Sequence, residues 1–168
     1  MDESRFGLHT IQRRRLTLKG IKPLGLYQYH FEAFWLYGAV APQSGASFFA
    51  VQPKLDKANF QAFLDAFAAT YPTTFNLLLV DNARAHHATT LQLPTNVSLL
   101  FLPPYAPELN PCERVWQAIK ARSAWCNFTD LLALQDHLAS ILQDYDEAAL
   151  RSLTAYPYLS QAIHALAA

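Results

Sequence analysis

Three carboxylates and a histidine pair stand where chemistry could be done. Asp81 follows the apolar run Leu77-Leu78-Leu79-Val80. It therefore leaves a strand at the carboxyl edge of a sheet, where α/β proteins place their sites. His86 and His87 come five and six residues later and could join it in a metal cluster. Glu113 falls on the first turn of a helix, where it could ligate a metal, with Trp116 one turn on to pack beneath it. Asp2 is a further carboxylate at the start of the chain. Each has a plainer reading. Asp81-Asn82 is a common way to leave a strand. A histidine more often packs or hydrogen-bonds at a helix surface. Glu113 lies three residues after Asn110, at the reciprocal position of a capping box. A terminal aspartate is usually frayed. Arg13-Arg14-Arg15 is either a solvated loop or a clamp on phosphate.

The elements that must position these groups can be read from periodicity. Residues 8–29 mix basic residues with Gly20, Pro23 and Gly25 and read as loop or short irregular strands. Residues 30–40 and 46–52 are rich in aromatic and β-branched residues, and the turn signal at 42–45 joins them as a hairpin. Leu55-Asp56 opens a helix whose Phe60, Phe63, Leu64 and Phe67 share a face, with Pro72 beyond its end. Residues 75–80 and 97–102 are strands of the kind buried on both faces. Residues 83–93 are predicted to form a short helix ended by Pro94, and residues 103–110 a rigid loop with three prolines. Asn110 as N-cap and Pro111 at the first helical position start a helix running to about residue 125. Thr129 or Asp130 caps the next, with Leu131, Leu134, Leu138, Ile141 and Leu142 on one stripe. The remainder is expected to be helical with a break near Pro157. The order is that of an α/β fold with a mixed sheet.

Composition narrows the class. The chain has 168 residues, 52% of them apolar and 15% charged, which suits one domain with a real core and excludes a disordered chain. No apolar run is long enough to span a bilayer, and the polar start Met1-Asp2-Glu3-Ser4-Arg5 is no secretory signal. Cys112 and Cys126 form no metal or disulfide framework, which fits a reducing cytoplasm. The net charge is zero but unevenly spread: residues 1–22 carry +4 and residues 123–168 carry −4. The basic end could meet a polyanion that the other end would repel, unless both are simply solvated faces.

Two stretches carry a resemblance. Val80-Asp81-Asn82-Ala83-Arg84-Ala85-His86 is followed by Leu102-Pro103-Pro104-Tyr105-Ala106-Pro107-Glu108-Leu109-Asn110-Pro111-Cys112-Glu113-Arg114-Val115-Trp116. Together they resemble the second half of the DDE catalytic domain of the IS630/Tc1/mariner transposase superfamily. Asp2-Glu3-Ser4-Arg5 resembles the start of the same domain. The likeness runs over essentially the whole chain. It implies an RNase H-like fold, with a central mixed five-stranded sheet flanked by helices, a core over about residues 1–125 and C-terminal helices over about 126–168. It implies that Asp2, Asp81 and Glu113 are the catalytic carboxylates and hold two Mg²⁺ ions, with Mn²⁺ as a possible substitute. Such clustered hard-oxygen ligands suit phosphodiester cleavage without a covalent enzyme nucleophile, and no serine or cysteine nucleophile motif is present. Asn82 and His86 would shape the site, and Arg13, Arg14 and Arg15 would hold phosphate backbone without base specificity.

The implied activity is metal-dependent cleavage at transposon ends followed by strand transfer into target DNA. The implied partners are those DNAs and a second copy of the chain, in the bacterial cytoplasm at the nucleoid, with no membrane. Two departures qualify it. The 31 residues between Asp81 and Glu113 are a few fewer than the superfamily's commonest spacing. Only Met1 precedes Asp2, so a truncated first strand is expected, and the family's N-terminal helix-turn-helix region is not seen. The chain is thus read as a downstream frame, fused by frameshift to an upstream DNA-binding half, or alternatively as an inactive remnant that binds DNA or partner subunits.

Overall fold

A computed structural model describes every residue except 88, 89, 105–108, 160, 162–164 and 166–168. Five strands and four helices are found among the described residues: β1 (Asp2–Gly7), β2 (Ala33–Val40), β3 (Ser47–Gln52), α1 (Lys57–Thr70), β4 (Asn76–Val80), β5 (Val97–Phe101), α2 (Cys112–Arg122), α3 (Leu131–Gln143) and α4 (Glu147–Thr154). β1, β2 and β3 form an antiparallel sheet in that order, with Asp2 opposite Gly38 and Gly7 opposite Ala33. β4 and β5 form a parallel pair. The two sheets meet where the Met1 amino group donates to the Leu79 carbonyl at 2.8 Å. The strands are therefore mixed, as expected.

β2 shows why the sheet is central. Phe34, Leu36 and Val40 belong to one buried cluster with Val115, Trp116 and Ile119 of α2 and with Leu134, Leu138 and Ile141 of α3. Tyr37 and Ala39 belong to a second, with Phe60, Phe63, Leu64 and Phe67 of α1. Because successive side chains point to opposite faces, one strand supplies both cores, and helices cover both faces. Asp56 and Asp130 cap α1 and α3 by accepting from Asn59 N and Ala133 N, each at 2.9 Å.

Several expectations change in detail. The first strand is not nearly missing: six residues from Asp2 onward pair along their whole length with β2. Its link to β4 is the short part, carried by the Met1–Leu79 bond. The helix expected over 83–93 is absent among the described residues there, which form turns; residues 88 and 89 lie outside the described set. Three features compete with helix formation: Asp81 Oδ1 accepts from Ala83 N, the Asn82 amide donates to the distant Leu102 O, and His86 is drawn into the core. Residues 105–108 of the proline-rich loop, and most of the tail beyond Leu159, also lie outside the described residues. No helix among the described residues is long and apolar enough to cross a membrane.

Candidate active site

The period-2 alternation of β1 sends its first two acidic residues to opposite faces of the sheet. Asp2 turns toward α2. Its Oδ2 accepts from the indole Nε1 of the buried Trp116 at 3.0 Å. The indole reaches that far because residue 38, across the ladder from Asp2, is glycine. A Cβ there would lie 2.7 Å from Trp116 Cη2 and 2.7 Å from Phe49 Cε1. The start of α2 is tied to the same place: the Asn110 side chain donates to Met1 O at 3.3 Å and accepts from Cys112 N at 3.1 Å. Asn110 thus caps α2 as expected, while Pro111, at φ −62 and ψ −27, is already helical. This capping sets Glu113 on the first turn, beside Asp2.

Asp2 is nearly buried, at 9% exposure. Burial first, then the negative charges of Glu113 and Glu3, push its carboxyl from 3.8 to about 7, against a downward pull from the N-terminal ammonium and the Glu3 backbone N–H. Two acidic groups crowding a buried carboxylate is an arrangement that a cation relieves.

Glu3 points to the α1 face, where its side chain is almost fully buried, at 3% exposure. There it meets His86, whose Nε2 lies 3.0 Å from Glu3 Oε1. The other ring nitrogen, Nδ1, lies 2.9 Å from Asp81 Oδ1 and 3.1 Å from Asp81 O. Both nitrogens face oxygen acceptors, so both act as donors in an imidazolium. Burial opposes that charge, but the bonds to Glu3 and Asp81 outweigh it and hold His86 above its usual value. Phe60 of α1 packs on the ring with centroids 4.4 Å apart.

Asp81 is half exposed, at 53%. Its Oδ1 accepts from Ala83 N at 2.9 Å and lies in ion-pair contact with His86 Nδ1, whose hydrogen bond goes to Asp81 O, and the described contacts leave Oδ2 free. Asn82 locks the adjoining strand ends, donating to Leu102 O at 2.7 Å, with Oδ1 3.1 Å from His87 Nε2. His87 stacks on Phe101 rather than turning toward Asp81.

The structure thus brings Asp2 and Glu113 into one electrostatic neighbourhood and ties Asp81 to β1 through His86 and Glu3. Among the described residues, no three His, Cys, Asp or Glu side chains converge into a ready-made metal cage. The donor set still fits a hard divalent cation: Asp2 and Asp81 each have one oxygen bonded by an N–H donor and one left over, and Asp2 has the negative charge of Glu113 beside it. The arginines behave differently from a free clamp. Arg13 donates to Gln117 O at 3.0 Å, and Arg15 lies over the Trp125 ring at 4.6 Å. Arg14 is exposed. Sequence reasoning missed Glu3 and the bond from Trp116 to Asp2. The signal for Glu3 was the alternation of β1, which sets it on the face of Tyr37.

A family profile described as DDE superfamily endonuclease matches residues 1–135. The chain belongs to that family, and its fold is that of a Tc1/mariner-type DDE domain. The uncharacterized protein y4pE/y4sA of Sinorhizobium fredii (strain NBRC 101917 / NGR234) is 36% identical over 87 residues, 51% of this chain and 64% of that protein. Among solved structures, a Mos1 mariner paired-end complex with Mn is similar at a TM-score of 0.70, with 17% identity over 91% of this chain and 50% of that one. A Mos1 transposase paired-end complex with left transposon end is similar at 0.68 and 17% identity, over 91% of this chain and 49% of that one. The chain therefore spans just under two thirds of the curated relative and about half of the Mos1 chains.

Proposed function

We propose that the chain is the catalytic domain of an IS630-like transposase, cleaving DNA at transposon ends and joining the freed 3′-hydroxyl to target DNA. The observation that carries this reading is Asp2: a buried carboxylate crowded by Glu113 and Glu3. Asp2, Asp81 and Glu113 are the residues that would hold two Mg²⁺ ions, or Mn²⁺ in their place. When bound, such ions activate the attacking oxygen and stabilise the leaving one. The chain's own residues do the positioning. Trp116 holds one oxygen of Asp2, Ala83 N bonds one oxygen of Asp81, His86 pairs with that oxygen and bonds the Asp81 carbonyl, and the Asn110 cap sets Glu113 on its turn. Burial of Asp2 keeps solvent from screening these charges.

DNA is the proposed partner, and the exposed Arg14 is the member of the arginine triplet best placed to meet backbone phosphate. Arg13 and Arg15 stiffen the segment by packing on α2 and Trp125. A homodimer on DNA, fusion to an upstream DNA-binding half, a single catalytic unit with the helices after residue 125 as its tail, and action in the bacterial cytoplasm belong to the same proposal.

The test is nicking of a plasmid bearing transposon ends, with Mg²⁺, by the wild-type chain and by Asp81→Asn. The amide keeps the shape and loses the charge. Cleavage by the wild type alone supports the reading. Equal cleavage by both removes Asp81 from the metal-holding set, and none by either favours the alternative of a non-cleaving module that binds DNA or partner subunits.

A further inference from the structure

We infer that Glu3 is a positioning residue for Asp81, acting through His86 from the opposite face of the sheet. This rests on the reading of Asp81 as a metal ligand. The observations that carry it are geometric. Glu3 is an almost fully buried carboxylate on β1, and Asp81 is a half-exposed one after β4. No backbone ladder joins β1 to β4 beyond the bond from Met1 N to Leu79 O. His86 bridges the gap. Its side chain is fully buried, Nε2 sits 3.0 Å from Glu3 Oε1, and Nδ1 sits 2.9 Å from Asp81 Oδ1. The Phe60 ring packs against the imidazole and limits its rotation.

The consequence is directional. A carboxylate on an irregular turn can rotate about its Cβ–Cγ bond and present either oxygen. Here Oδ1 accepts from Ala83 N and pairs with His86 Nδ1, which also bonds the Asp81 carbonyl, so Oδ2 is the oxygen left for a cation. Without Glu3 the imidazole loses its inner anchor, and its grip on the Asp81 carboxylate and carbonyl loosens. Partners of this kind typically change metal affinity by about 10–100-fold. A glutamate buried only to fill space would have no such effect. The bond to His86 could equally be made by an uncharged acceptor, so the amide of glutamine should keep much of the positioning.

The experiment measures Mn²⁺ affinity of the full chain by electron paramagnetic resonance, alongside urea unfolding. The variants are Glu3→Ala, Glu3→Gln and, as reference, Asp81→Asn. The expected result is an affinity loss of at least tenfold for Glu3→Ala, most of it recovered in Glu3→Gln. Glu3→Gln is isosteric and keeps the comparison available if the alanine variant does not fold. Glu3→Ala and Glu3→Gln both binding Mn²⁺ like the wild type, while Asp81→Asn does not, overturns the role of Glu3 and leaves the metal site standing. Asp81→Asn binding as tightly as the wild type overturns the metal-ligand reading itself, and this inference with it.

Discussion

Asp2 and Glu3 are neighbours in sequence, both acidic and both buried, yet the sheet separates them into opposite situations. Glu3 faces α1 and meets a histidine at 3.0 Å. Asp2 faces α2 and meets an indole N–H, with Glu113 close enough to raise its proton affinity. One carboxylate is charge-compensated by the chain, while the other is solvated by a neutral donor and crowded by a like charge. A buried charge is tolerated when paired and strained when not. The difference separates a carboxylate that holds the structure together from one poised to take an external cation.

The comparison breaks most sharply at Asp2. Asp2→Asn is expected to lower Mg²⁺-dependent plasmid cleavage about a thousandfold or more, while the metal-free variant unfolds at equal or higher urea concentration than the wild type. Lost stability without lost cleavage would place Asp2 in the same class as Glu3.

The matching test on the other face is His86→Ala. It leaves Glu3 buried without its cation, and removing one partner of such a pair costs about 3–5 kcal/mol. Urea unfolding measures it. A cost below about 1 kcal/mol, the range of an exposed pair, would mean that Glu3 does not depend on His86 for its charge compensation.

Gly38→Ala sharpens the geometry on the Asp2 side. The added methyl would meet Trp116 Cη2 and Phe49 Cε1, each at 2.7 Å. Overpacking of this kind costs about 1–3 kcal/mol. Displacement of the indole should also release Asp2, which indole fluorescence and Mn²⁺ affinity can follow together. A variant with wild-type stability and affinity would show that the tight approach of Trp116 is dispensable.

The smallest effect is on pH dependence in EDTA. The Asp2 carboxyl titrates near 7 in the folded chain against 3.8 ordinarily, so the folded state binds its proton more tightly than the unfolded state does. Stability must then fall as pH rises through that window. His86 is shifted up as well. Its contribution is complete below its ordinary value of 6.5 and is lost as pH rises through the higher folded value. Melting curves of Asp2→Asn should therefore flatten the decline between about pH 4 and 6 and keep the decline at higher pH. An unchanged slope at low pH would assign that decline to another group.

Local signals carried much of the fold. Asp56 and Asp130 announced helix starts, and Asn110-Pro111 announced α2, because capping needs only a side chain within three residues of an unpaired N–H. Two-faced burial was expected of residues 75–80 and 97–102, but Leu77, Leu100 and Phe101 there are exposed, and β2 is the strand that enters both cores. Residues 83–87 misled for the opposite reason. Their propensity favours a helix, but His86 belongs to a partner 83 residues away. The motifs around Asp81 and Glu113 pointed to a candidate site through their resemblance, without revealing how each oxygen is held.

What the sequence determined by itself is thus β2 to β5 and α1 to α3, their order, and the identity of the acidic residues at their ends. These follow from periodicity and capping, which act over a few residues. Only the tertiary structure decided that Asp2 and Glu3 part company, that Trp116 crosses Gly38 to reach Asp2, and that His86 joins two strands that share almost no ladder. Those outcomes depend on which face of a sheet each side chain meets and on what a distant helix brings there, and the physics of a buried charge is set by such neighbours rather than by residue type.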